Sequence, residues 1–150
     1  MNNKQKHQPF VPGLKLAEGF FHEAAEPILK SHYPDLRYSA ALIGSGSEVL
    51  GFDTEMSTDH HWGPRVMLFL SPGDFKSKTN SIRTTLSNEL PPVYLGYSTN
   101  FSEPEDNGVQ LMQSVTGGPV NHRVTINTFN RFFRRYINVN IEKKLDPVDW

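Results

Sequence analysis

A short apolar run, Ala40-Ala41-Leu42-Ile43, leads straight into Gly44-Ser45-Gly46-Ser47-Glu48-Val49-Leu50-Gly51, and Asp59-His60-His61 follows shortly after. The apolar run suits a buried strand. Glycine and serine at its end leave backbone N–H groups and hydroxyls uncovered, with no Cβ in the way of an approaching phosphate. An acidic residue on the next element can hold a metal ion against that phosphate. Strand, small polar turn, link and acidic position form a layout for handling a polyphosphate. The same string is also an ordinary turn. The phosphate version needs amides aimed outward, and therefore a helix that starts near Ser47 or Glu48. Ser45, Gly46 and Ser47 are the candidate phosphate contacts. Glu48 repels phosphate unless its side chain turns away.

Around this stretch the pattern predicts alternating elements. Residues 1–9 read as a loose polar tail, and residues 10–150 as one domain, the count expected for 150 residues. Apolar residues from Leu14 to Ser31 recur at helical spacing, with Pro27 expected to kink or break the helix. Tyr38 to Ile43 is the first strand and Val66 to Leu70 the second. Ser71 or Asp74 caps a helix that runs to about Leu90 and is closed by Pro91-Pro92. Val93 to Tyr97 reads as a strand or an extended loop, 100–108 as a polar acidic loop, and Val109 to Val115 as a strand. His122 to Ile126 alternates as a further strand. Thr128 to Asn138 reads as a helix burying Phe129, Phe132, Phe133, Tyr136 and Ile137. The order makes the fold class α/β or α+β, layered.

Composition removes several classes of function. The formal net charge of −1 leaves no global field to recruit nucleic acid or an acidic membrane. There are no cysteines, so disulfides and thiolate zinc sites are excluded, in keeping with a reducing compartment. The N-terminus has no apolar signal core, and no apolar run approaches the ~20 residues that span a bilayer. A cytoplasmic location is expected.

The register Gly46-Ser47, then Gly51, then Asp59-x-His61 resembles the glycine-serine and Asp-x-Asp signature of the polymerase-beta-type nucleotidyltransferase superfamily. That superfamily includes aminoglycoside adenylyltransferases and minimal nucleotidyltransferases. The longer strings Ser39 to Asp53 and Ser57 to Val66, the latter with Trp62-Gly63-Pro64-Arg65, resemble an uncharacterised bacterial domain family grouped with those enzymes. The similarity runs from about Phe10 to Trp150. It implies a nucleotidyltransferase-like mixed sheet backed by helices on one face. It implies transfer of a nucleoside monophosphate from NTP to a hydroxyl acceptor that the sequence does not identify, with Mg²⁺ or Mn²⁺ as cofactor. Members are usually longer, with a helical portion beyond this chain's last residue. The run Leu145 to Trp150 reads as the approach to such a portion or to a helical partner, with Pro147 suited to a first helical turn.

Asp59 and His61 are the candidate catalytic residues and metal ligands. Two carboxylates one residue apart on a strand point to one side and share the ions. His61 replaces the second with an imidazole, which favours Mn, Zn, Fe or Ni over Mg. The superfamily's third carboxylate lies on a later strand, and the matching run here, Val124 to Asn127, has no acid. Glu103, Glu105 or Asp106 could replace it from a loop. Asp59 and His61 thus stand as residual metal ligands, as a metal-free relic on a binding domain, or as a turn cap and a ring packed on Trp62. The overall expectation is a domain of weakened or lost catalysis, or a non-catalytic module that binds nucleotide or a partner. Arg65 is a candidate triphosphate contact, with a surface salt bridge as its plainer fate. Arg131, Arg134 and Arg135 form a basic rim or a solvated helix face, too small to indicate nucleic-acid binding. A zinc hydrolase site joining His60, His61 and Asp59 with His22 or His122 lacks the His-Glu-x-x-His pattern.

Overall fold

The computed structural model describes residues 9–59, 62–106 and 108–144. The tail at 1–8, His60, His61 and the run from Leu145 to Trp150 lie outside the described residues.

The first helical stretch comprises α1 (Gly13–Phe20), a π-helical turn (Phe21–Ala25) and α2 (Glu26–His32). Pro27 sits in the first turn of α2. It has no N–H to donate, and its ring crowds the carbonyl one turn back. The preceding turn is widened, and the Glu26 N–H reaches back to the Phe21 carbonyl, the wider bond of a π-bulge. The kink expected at Pro27 therefore takes the form of a bulge. Leu16, Phe20, Ala25 and Leu29 stay on one face and are fully buried.

Next come β1 (Tyr38–Ala41), a 3₁₀ turn (Glu55–Asp59) and β2 (Arg65–Leu70), followed by α3 (Pro72–Glu89). Ser71 caps α3, its hydroxyl accepting from the Asp74 N–H at 3.1 Å, and Pro72 occupies the first helical turn. The strands β3 (Val93–Tyr94) and β4 (Tyr97–Ser98) form a small hairpin about Leu95-Gly96. The chain closes with β5 (Arg123–Asn127) and α4 (Phe129–Ile137), the latter capped by Thr128 through the Arg131 N–H.

The main sheet has the order β1-β2-β5. Tyr38 opposes Leu70 and Ala41 opposes Met67 in the antiparallel pair, while Arg65 opposes Arg123 in the parallel one. Alternation sends Val66, Leu68, Leu70, Val124 and Ile126 to one face, where they join Leu16, Phe20, Ile82 and Leu86 in the core. Arg65, Met67, Phe69, Arg123 and Thr125 fall on the opposite face. There Phe69 stacks on Phe129 of α4, with centroids 4.5 Å apart and planes 2° apart, and meets the Phe132 ring edge-on. The fold is mixed α/β with a small mixed sheet. Helices α1 to α3 cover one face and α4 lies on the other, so the cover is two-sided rather than confined to one face.

Two expectations are corrected. Residues 109–115 form no strand; a single bridge joins Met112 to Phe101. Backbone hydrogen bonds from Ser102 to Leu111 and from Gln113 to Asn100 flank the bridge, and the Ser102 and Asn100 side chains add to them without extending a ladder. On α4, only Phe132 is buried, whereas Phe129, Tyr136 and Ile137 are exposed. The three-stranded sheet offers α4 a narrow seat, and its aromatic side is wider than that seat.

Candidate functional site

The glycine-serine turn leaves the end of β1 and is held by charge. Both Nε (2.7 Å) and Nη2 of Arg65 donate to Glu48 Oε1, and Nη2 also donates to the Ser45 carbonyl at 3.1 Å. Glu48 is 2% exposed and Arg65 8%. The salt bridge expected at the surface is therefore buried. Glu48 turns inward, away from any ligand at the turn, and neutralises the first arginine of the sheet face. Gly46 is forced by this pair. Its φ is +141°, and a Cβ there would lie 2.5 Å from Arg65 Nη2 and 2.6 Å from Glu48 Oε2.

No helix begins at Ser47 or Glu48. Residues 47–51 form a turn in which the Phe52 N–H reaches the Ser47 carbonyl (3.0 Å) and the Gly51 N–H the Glu48 carbonyl (3.2 Å). The cradle of helix-terminal amides expected for the phosphate version is replaced by this closed turn. Asp53, given no role by the sequence pattern, ties it down. One carboxylate oxygen accepts from the Gly13 N–H (2.6 Å) at the start of α1 and from Trp62 Nε1 (2.9 Å). Trp62 is buried, stacked on Phe10 and edge-on to Tyr97. Gly63, at φ +129°, lets Met112 and Phe101 close over the bend.

Asp59 closes the 3₁₀ turn that precedes β2. His61 lies outside the described residues. Among the described residues no group of three or more His, Asp or Glu side chains stands close enough to hold a metal ion. The two other histidines weighed for a zinc site are engaged elsewhere. His22 pairs with Glu26 at 3.0 Å on the surface. His122 Nε2 meets the Arg83 carbonyl (3.1 Å) while its Nδ1 accepts from the Val124 N–H (3.1 Å). Burial lowers the His122 pKa, with the nearby Arg83 charge acting in the same direction and its hydrogen bond to the Arg83 carbonyl opposing it. The neutral ring thus fastens α3 to β5.

The turn opens onto a cavity of about 350 Å³ on the outer face of the sheet. Its polar wall is Ser45, Arg65, Gln110, Arg123, Thr125 and Arg135, and the Tyr136 ring lies beside them. Strand register brings Arg123 opposite Arg65, and α4 supplies Arg135 and Tyr136. The Arg123 guanidinium lies over the Phe101 ring at 5.5 Å, a cation–π distance. Its Nη1 is buried with no hydrogen-bond partner. Burial lowers the Arg123 pKa, and the Arg65 charge lowers it further, with Glu48 partly offsetting both. Of the predicted phosphate contacts, Ser45 and Arg65 line this cavity and Gly46 packs directly behind it. Arg123 carries no local signal of a site in the sequence; its place beside Arg65 follows only from the parallel register.

No helix among the described residues is long and apolar enough to cross a membrane. No family model, curated protein or solved structure matches this chain.

Proposed function

We propose that the chain is a nucleotidyltransferase-like domain that binds a nucleoside triphosphate on the outer face of its sheet, with transfer chemistry weakened relative to a full catalytic set. The observation that supports it is the cavity at the foot of the glycine-serine turn, where Ser45 and three guanidinium groups converge without a lining carboxylate among the described residues. Such a wall suits a polyanion. Asp59 and His61 are the residues that would hold a divalent ion. One carboxylate and one imidazole form a mixed donor set that suits Mn²⁺ better than Mg²⁺.

One observation favours the second reading, a nucleotide-binding module without turnover. β5 lies beside β2 and carries Arg123, Thr125 and Asn127 on the outer face, with no acid to act as general base. A thermal-shift screen with ATP, GTP, CTP and UTP, each with Mg²⁺, Mn²⁺ or no metal, tests nucleotide binding. Stabilisation at millimolar nucleotide is the expected result. Absence of any shift in all twelve conditions sinks the nucleotide reading. Transfer of radioactive AMP from ATP by His61→Asp but not by wild type identifies a lost ligand on an intact site. Transfer by wild type refutes the module.

A further inference from the structure

The cavity contains more positive charge than its own fold neutralises. Arg65 and Arg123 face each other across β2 and β5, and like charges directly opposite on a sheet repel. Glu48 is hydrogen-bonded to Arg65 and offsets the Arg123 charge only in part, and no carboxylate among the described residues lining the cavity pairs with Arg123 or Arg135. A buried guanidinium nitrogen without a partner is costly and rare, and Arg123 Nη1 is the only such side-chain atom among the described residues. Thr125 and Gln110 add neutral hydrogen-bonding groups, and the Tyr136 ring adds a flat apolar surface. About 350 Å³ falls in the size range of small-molecule sites, roughly 300–1,000 Å³.

We infer that Arg123 and Arg135 are the anion anchor of this site and that its ligand carries a phosphoryl group, held between β5 and α4 rather than by the amides of the glycine turn. The inference rests on the nucleotide reading for the remainder of the ligand, but the anchor itself needs only a phosphate ester or polyphosphate. An oxyanion in the cavity offsets the two unpaired guanidinium charges, and a small swing of Arg123 gives Nη1 an acceptor. Arg65 stays with Glu48 and keeps the turn in place. It is a positioning residue.

The full chain is titrated calorimetrically with ATP, tripolyphosphate and adenosine, in low and high salt. Arg135 is exposed, so Arg135→Gln is expected to leave the melting temperature unchanged. It should weaken both polyanions at least about tenfold, the effect of one lost charged hydrogen bond. Arg123→Lys keeps the charge but loses the fork, and is expected to weaken them by a similar factor. ATP binding that neither variant weakens, with melting temperatures unchanged, overturns the anchor and leaves the nucleotide reading standing. Tripolyphosphate binding as tight as ATP binding, lost in both variants, supports the anchor and removes the nucleoside from the reading. Adenosine binding as tight as ATP, or no binding of any of the three, overturns the anchor. If Arg123→Lys alone fails to fold, Arg135→Gln and its reduced salt dependence decide the matter.

Discussion

Glu48 and Arg65 show how one buried pair sets a whole loop. Two arginines stand opposite each other on β2 and β5, and a single carboxylate crosses from the turn to meet one of them. Removing it leaves a buried charge unpaired beside a second one. Glu48→Gln is expected to cost about 3 kcal/mol of stability, measured by urea unfolding. The paired replacement Glu48→Leu with Arg65→Met should recover most of that loss, since neither charge is then stranded. Failure of the double variant to recover would mean that the pair is not the source of the cost. Gly46 belongs to the same unit. A methyl there must displace the guanidinium and also occupy a left-handed φ. Gly46→Ala should cost about 2 kcal/mol, and a fall below a few tenths would show that the turn relaxes freely.

At the scale of elements, local signals set the helices and their ends. Ser71, one of two cap candidates with Asp74, and Thr128, which the sequence reading places inside its helix, are the N-caps, and both side chains accept from the backbone as such caps do. Thr128→Ala should cost about 1 kcal/mol and lower the helical signal of α4, seen as faster amide exchange at Arg131. Unchanged exchange there would show that the aromatic stack on Phe69 alone holds the helix. The bulge at Phe21–Ala25 is also local, because the missing N–H of Pro27 must be accommodated one turn back. The segment 109–115 is different. Its sequence reads as a strand, but a strand exists only with a partner in regular register along its length, and here a single bridge and a few backbone hydrogen bonds to 100–105 are what forms. The aromatic side of α4 was legible as apolar, while its degree of burial depended on the width of the sheet beneath it.

Across the whole molecule, His122 joins α3 to β5 over a long separation in sequence. Burial disfavours the charged ring, and protonation would place a hydrogen on the nitrogen that accepts from Val124, so the folded ring resists it. Its folded pKa lies below 6.5, the value it has when unfolded. The unfolded chain therefore takes up the proton first. The stability His122 contributes is fully present above about pH 6.5 and is lost as the pH falls through the folded value. His122→Asn should flatten the stability profile between pH 6.5 and 5, read from urea midpoints. Asp74 and Glu26 also titrate low, held down chiefly by hydrogen bonds from Lys78 and His22 respectively. Their contributions disappear only below pH 4.5, outside that window. An unchanged slope in the variant would reject His122 as the sensor.

Residue order alone determined the elements that depend on neighbours in sequence: the capped helices, the apolar strands, the kink at Pro27 and the glycine turn with its Ser45. These follow from periodicity, missing donors and small side chains, which act over a few residues. The tertiary structure decided what lies across the sheet. It paired Glu48 inward with Arg65, assigned Asp53 to Trp62 and α1, and brought Arg123 and Arg135 to the turn from distant positions in the chain. Strand register and the side of the sheet on which a helix settles are set by how apolar faces are buried together. That is a property of the packed chain, and it is why Arg65 and Arg135 are legible as cations from the sequence while the place of Arg123 beside them is not.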